Sequence, residues 1–216
     1  MEPSNLEKTD HKKPARLFVL AAPSGAGKTT LVKELVAAHP DIRFSVSYTT
    51  RRKRVNEVDG IDYRFVDKDE FMRLREEGEL LESAMVFDNF YGTSRSQVEE
   101  HLANGNNVLL EIDWQGAAQV RESMPECTTV FILPPSRAEL ERRLRDRRTD
   151  SPEVIDRRLR DALSDMSHWR DFDYVIINDD LATAVSELDA VLYGDGTANR
   201  VTKGPLVSRV EGVLGS

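Results

Sequence analysis

The chain has 216 residues, 39% of them hydrophobic, which suits one domain with insertions better than two independent units. Its net charge of −8 excludes broad binding to a nucleic-acid polymer but leaves small polyphosphates open wherever arginines cluster. No apolar run approaches the roughly 18 residues needed to cross a bilayer, and the lone Cys127 has no partner for an intramolecular disulfide, which fits a reducing compartment.

Residues 1–14 are polar and carry Glu2, Glu7 and Asp10 without an apolar centre, so they read as a disordered cytoplasmic lead-in and not as a secretory or transit signal. The apolar run Leu17–Ala21 predicts a strand. It opens directly into Ala22-Pro23-Ser24-Gly25-Ala26-Gly27-Lys28-Thr29-Thr30, and the spacing of Leu31, Val32 and Leu35 predicts an amphipathic helix over Thr29–His39. Strand, glycine-rich turn and helix in this order make a phosphate-binding loop. The glycines let successive backbone N–H groups converge on one oxyanion at a helix N-terminus, Lys28 reaches the β- and γ-phosphates, and the Thr29 hydroxyl suits Mg²⁺. Ala22 stands where the strict pattern has glycine.

Between Phe44 and Thr93 the texture changes to strand-like pieces, Asp62–Val66 and Leu80–Phe87, around a short helix, Lys68–Glu77, predicting an inserted β-rich subdomain. Beyond it, the helix pattern Arg95–Ala103 leads to a strand at Asn107–Ile112 and a helix at Ala117–Met124. A strand at Thr129–Leu133 precedes helices Arg137–Arg145 and Pro152–Trp169, then a strand at Tyr174–Ile177 and a helix at Leu181–Tyr193. Such alternation predicts an α/β fold with a mostly parallel sheet covered on both faces. The short charged stretch Asp146–Ser151 reads as a mobile flap. From Gly194 to Ser216 the pattern breaks, and this tail carries no assigned role.

Three groups of side chains have spacings that suit phosphate or nucleotide chemistry. Arg51, Arg52, Lys53 and Arg54 follow a strand end, and the forks of Arg51 and Arg54 match phosphate oxygens. Tyr63 and Tyr91 add hydroxyl donors. By themselves these residues read equally as a solvated basic loop and half-buried packing aromatics. Glu111 and Asp113 sit at the carboxyl end of a predicted parallel strand, where ligands gather and where carboxylates hold Mg²⁺ directly or through water. Arg143 and Arg147 lie one helical turn apart with Arg158 eleven residues on, a spacing that also describes a solvated charged helix. Asn178 is by residue type a turn residue after a buried strand.

The phosphate loop, Ser47 with Thr49-Thr50-Arg51, Gly60 with Tyr63, Leu81-Glu82, Tyr91-Gly92-Thr93, Ile112-Asp113-Trp114-Gln115-Gly116, Leu133-Pro134-Pro135-Ser136 and Asn178-Asp179-Asp180 together resemble the guanylate kinase family, block for block from Leu17 to about Tyr193. The resemblance implies a P-loop NTPase sheet flanked by helices over residues 15–193, with a GMP-binding subdomain at 44–93 and a helical lid at 137–158. It implies that ATP phosphorylates GMP and dGMP, that ATP and GMP are the partners with no nucleic-acid polymer or membrane, and that Mg²⁺ accompanies ATP.

The same resemblance assigns the residues. Ser24, Gly25, Ala26, Gly27, Lys28, Thr29, Thr30, Arg147 and Asn178 bind ATP. Ser47, Arg51, Arg54, Tyr63, Glu82, Tyr91, Thr93, Glu111 and Asp113 bind GMP. Lys28, Arg51, Arg143 and Arg158 act on the transferring phosphoryl group, and Thr29 ligates Mg²⁺ with Glu111 and Asp113 reaching it through water. A carboxylate at Glu82 accepts both N–H groups of the guanine edge, with Ser47 and Thr93 meeting its remaining polar atoms. The family usually has Asp where this chain has Glu111, and Gly where it has Arg148. Two alternatives belong to other classes. A binding module of the same fold typically lacks an intact phosphate loop, unlike this chain, and a kinase for a ribose phosphate has no use for a guanine-reading carboxylate.

Overall fold

The computed structural model describes residues 14–86, 88–146 and 152–215; the expected lead-in and the interior of the expected flap, Arg147 and Arg148 included, lie outside them. Strand β1 (Leu17–Ala21) is buried on both faces, which explains its unbroken apolar run. It leads through the glycine turn into α1 (Lys28–Ala38), and the short β2 (Ile42–Phe44) follows. The next segment contributes β3 (Tyr48–Thr49), β4 (Arg64–Phe65), α2 (Lys68–Glu76), β5 (Leu80–Val86) and β6 (Asn89–Ser94). The chain then continues through α3 (Arg95–Ala103), β7 (Asn107–Glu111), α4 (Trp114–Ser123), β8 (Thr128–Leu133), α5 (Arg137–Asp146), α6 (Pro152–Met166), β9 (Tyr174–Ile177), α7 (Leu181–Tyr193) and α8 (Gly204–Gly215).

Five of these strands form a parallel sheet in the order β2-β7-β1-β8-β9. Alternate residues of the central strands feed two cores. Val19, Leu110, Phe131 and Val175 face the side carrying α4, α5, α6 and α8, whereas Phe18, Leu20, Leu109, Val130 and Ile176 face α1 and α7. The remaining four strands make a separate mixed sheet in the order β4-β3-β6-β5, closed by Phe71 and Leu74 of α2 against Leu80. This is the α/β architecture with a β-rich insertion that the alternation of patterns predicts. No helix among the described residues is long and apolar enough to cross a membrane.

Several elements differ from the sequence reading. Strand β2 has no apolar signature, because Arg43 and Phe44 are exposed and only Ile42 is buried; Phe44 thus belongs to the parallel sheet, paired with Leu109, and not to the insertion. Helix α4 starts at Trp114, ahead of its apolar period, because the Asp113 carboxylate caps it by accepting the Gly116 N–H at 2.8 Å. The pattern at 152–169 is helical only to Met166 and tightens to a 3₁₀ turn over Ser167–Asp171. Strand β6, paired with β5 ahead of α3, occupies a segment in which the sequence pattern predicts no strand.

The region after Gly194 is ordered against the sheet. Arg200 bridges Tyr174 antiparallel beside the edge strand β9, and the buried Asn199 amide donates to the Val175 carbonyl. Leu206, Val210 and Val213, spaced four and three apart, lay one face of α8 into the core. We expect Val210→Asp to lower stability by about 3 kcal/mol or more, since a fully buried methyl pair is replaced by an unpaired charge. In a chain of this length that is a melting temperature lower by roughly 6–12 °C; an unchanged melt contradicts this packing.

Candidate active site

The pairing of β1 with β7 brings two strand ends side by side, Leu20 opposite Glu111. From the first end rises the glycine turn and from the second the Glu111–Asp113 segment. Lys28 Nζ donates to the Ile112 carbonyl at 2.9 Å and lies 3.9 Å from Glu111 Oε1, while Thr29 Oγ1 donates to the same Glu111 oxygen at 2.9 Å. Burial pushes the Lys28 ammonium below its usual pKa, and the charges of Glu111 and Asp113 oppose that fall. Burial likewise raises the Asp113 carboxyl.

The turn itself is held from behind. Gly27 has φ of 92°, a left-handed conformation that glycine adopts freely, and a Cβ there would fall 2.3 Å from Asn178 Nδ2. That amide donates to the Ala26 carbonyl at 2.8 Å. Arg143 donates to Ala26 at 3.4 Å and to the Asn178 carbonyl at 3.2 Å. Thus Asn178 and Arg143 brace the loop in this conformation, and Asn178 is buried instead of presenting a solvated turn. Glu139 holds Arg143 through Nε at 2.7 Å and also pairs with Arg142, and these guanidinium contacts bring its carboxyl down to about 2.

A cleft of about 690 Å³ separates the turn from the second sheet. Ser24, Gly25, Gly27, Lys28, Thr29 and Thr30 line one side, and Ser47, Arg54, Tyr63, Glu82 and Tyr91 the other, with Glu111 and Asp113 at the floor and Arg158 on α6. Across its mouth Arg157 of α6 pairs with Asp88, beside the β5–β6 turn, at 3.3 Å. Arg147, the remaining arginine of the sequence reading, lies outside the described residues.

Glu82 is the most unusual group in the cleft, only 4% exposed. It is brought there by a slip in register between Leu80 and Glu82 that sets it opposite Thr93, whose hydroxyl donates to Oε1 at 2.7 Å. Oε2 faces the start of α4, where a Cβ on Gly116 would fall 2.5 Å away, so only glycine leaves room for the carboxylate. Burial raises the Glu82 pKa to about 7, with the Thr93 hydrogen bond opposing the rise.

Arg51 stands behind Tyr63 and Tyr91. Its guanidinium lies 5.3 Å from the Tyr63 ring centre, and the two phenol rings meet edge-on at 6.0 Å. The sequence reading did not single out Glu57, whose carboxylate grips the Arg51 fork at 2.6 and 3.1 Å, although a lone acid three residues after Arg54 was the available signal. Nor did it assign roles to Trp114 and Asp165, which join the floor to α6 through an Nε1–Oδ1 hydrogen bond of 3.0 Å.

A family model described as guanylate kinase matches residues 14–194. The chain belongs to the guanylate kinase family. The guanylate kinase of Alkalilimnicola ehrlichii is 54% identical over 187 residues, covering 87% of this chain and 90% of its own. That of Methylococcus capsulatus is 56% identical over 176 residues, covering 82% and 86%. The crystal structure of guanylate kinase from Anaplasma phagocytophilum superposes with a TM-score of 0.71 at 36% identity, covering 93% of this chain and 96% of its own. Helix α8 lies beyond the matched family segment.

The raised Glu82 pKa has a consequence for stability. A carboxyl that titrates near 7 when folded and near 4.5 otherwise takes up a proton on folding, so its favourable contribution is complete below pH 4.5 and is lost as pH rises through about 7. For the nearly buried Glu82 this amounts to about 3 kcal/mol. We expect Glu82→Gln to lose that share of the decline in urea-unfolding free energy between pH 5 and pH 8. Identical pH slopes in the two proteins would contradict the assignment.

Proposed function

We propose that the chain transfers the γ-phosphoryl group of ATP to the phosphate of GMP or dGMP, releasing ADP with GDP or dGDP. The observation that carries this reading is a single cleft with a phosphate-binding turn on one wall and a buried carboxylate paired to a hydroxyl on the other. Family membership supports it, as does the Lys28–Glu111–Thr29 cluster between the two walls.

On the acceptor side, the insertion over residues 45–93 holds the monophosphate. Glu82 in its ionised form accepts from guanine N1–H and N2–H₂, and Thr93 and Ser47 supply hydroxyls to the same edge. Adenine offers an acceptor at N1 and would leave the buried carboxylate facing a lone pair, which disfavours it strongly. Arg51, Arg54, Tyr63 and Tyr91 surround the acceptor phosphate. On the donor side, backbone N–H groups from Ser24 to Thr30 cradle the ATP phosphates, and Lys28 neutralises charge on the transferring group.

Phosphoryl transfer has a loose transition state, so alignment and charge neutralisation are the work of the protein. Arg158 is already in the cleft, whereas Arg143 leaves the Ala26 and Asn178 carbonyls to reach the phosphates. The lid region 137–158 supplies both, and Arg147 and Asn178 are assigned to the adenine end on resemblance. Oxygen donors at Thr29, with Glu111 2.9 Å away and Asp113 beside it, fit Mg²⁺, which binds through one or two protein oxygens plus substrate phosphates. When bound, that ion offsets negative charge on the β- and γ-phosphates. The Arg157–Asp88 pair supports an approach of the two walls that keeps water from the γ-phosphate. A buried free thiol at Cys127 supports a reducing, cytoplasmic setting.

Coupled ADP release with GMP, dGMP, AMP and ribose phosphates as acceptors tests the reading: activity restricted to the guanine nucleotides is expected, and equal rates with AMP refute it. Lys28→Ala should lower kcat by about a thousandfold or more while GMP affinity changes less than about threefold. Turnover near the parent value would overturn the role given to Lys28. Replacing Glu82 by Gln turns an acceptor into a donor against guanine, so GMP affinity should fall about tenfold to a hundredfold with ATP affinity unchanged. Equal losses for the two nucleotides would mean that Glu82 is structural.

A further inference from the structure

The acidic residue three positions after the basic run has a specific geometry. Glu57 Oε1 and Oε2 accept from Arg51 Nη2 and Nη1 at 2.6 and 3.1 Å, a two-pronged contact in which both side chains are only 15% exposed. Oε2 also accepts the Arg54 backbone N–H at 2.8 Å, and the Glu57 N–H donates to the Arg54 carbonyl at 3.2 Å, closing a turn whose tip is the fully exposed Val55. Arg54 itself points outward, 71% exposed, with its guanidinium 3.9 Å from the same carboxylate. One carboxylate therefore fixes the side chain of the first arginine and the backbone of the second.

The opposite side of Arg51 is also confined. Its guanidinium lies over Tyr63 at 5.3 Å and Phe65 at 5.7 Å. A free arginine side chain loses rotamer freedom when it is ordered; here that cost is met before any anion arrives. The contact uses the Nη1–Nη2 edge of the guanidinium and Nη1 also donates to the Arg52 carbonyl at 2.9 Å, so the Nε side remains for an incoming phosphate. Electrostatics alone predicts the opposite effect, because a carboxylate beside an anion site repels the anion. The two effects differ in sign, which makes them separable by experiment.

We propose that Glu57 is a positioning residue of the acceptor-phosphate site: it pre-orders the Arg51 fork and the Arg54 turn for the phosphate of a nucleoside monophosphate. This rests on the proposed binding of GMP between Arg51, Arg54, Tyr63 and Tyr91. The role is specific to the phosphate, since Glu57 touches none of the groups around Glu82 that face the base. Its carboxyl is held below the usual range by the Arg51 contact, so the pair stays ionised at neutral pH.

The test compares the full-length protein with Glu57→Gln by calorimetric titration of GMP, guanosine and ATP, together with steady-state KM and kcat. The amide keeps an oxygen for the Arg54 N–H but loses the charge and the second prong, so GMP affinity should fall about tenfold or more. Guanosine and ATP affinity should stay within about twofold, and the KM for GMP should rise while kcat at saturating GMP changes little. Unchanged or tighter GMP binding would overturn the proposal in favour of simple charge repulsion. Equal weakening of guanosine would overturn it in favour of a general support of the insertion. If the parent protein fails to bind GMP, the functional reading fails with it; if the parent binds and the variant binds equally, only the role of Glu57 falls.

Discussion

The parallel pairing of β1 with β7 is the constraint on which the rest of the site depends. It sets two carboxyl strand ends next to each other, so that a turn rich in backbone donors and a segment rich in carboxylates share one crevice. Lys28 is then partly desolvated with its ammonium on the Ile112 carbonyl, and Thr29 shares an oxygen of Glu111. A polyphosphate entering this crevice meets the helix start, an ammonium and a hydroxyl at once. Shifting either strand by one residue would exchange its side chains between the two cores, misalign Leu20 and Glu111, and dissolve the cluster.

Around that crevice, charged groups are held in place by partners of opposite sign. Glu139 holds Arg143 behind the glycine turn, Glu57 holds Arg51 under the tyrosines, and Asp88 meets Arg157 across the cleft mouth. The Asp88–Arg157 pair is exposed and contributes little to stability. The effect of the three pairs is on orientation, since a flexible arginine fixed beforehand loses less freedom when an anion binds. Glu82 is the exception, a buried carboxylate whose hydrogen-bond partner is the Thr93 hydroxyl.

Much of this was legible in the sequence because backbone rules leave strong signatures. A buried strand running into a glycine turn, and strands alternating with helices of period 3.6, fixed the parallel sheet and the position of Lys28 and Thr29. What was not legible had weak local signals. Strand β2 exposes two of its three residues and is held by its partner β7, and α8 follows a stretch of Gly, Thr and Asn that hides the Leu206, Val210 and Val213 period. The bracing roles of Asn178 and Arg143, and the grip of Glu57 on Arg51, depend on distances between segments far apart or on rotamers, neither of which spacing encodes. Glu82 could be proposed from the family resemblance, but its burial against the start of α4 arises from a register slip that the residues do not announce.

In the proposed reaction two nucleotide phosphates meet across one cleft, with the acceptor base against Glu82. A crystal structure with GMP and a non-hydrolysable ATP analogue tests it most directly. Guanine N1 and N2 are expected within hydrogen-bond distance of the Glu82 carboxylate, the GMP phosphate among Arg51, Arg54, Tyr63 and Tyr91, and the analogue's β- and γ-phosphates over the turn from Ser24 to Thr30. GMP bound away from Glu82, or its phosphate on the glycine turn itself, would contradict it.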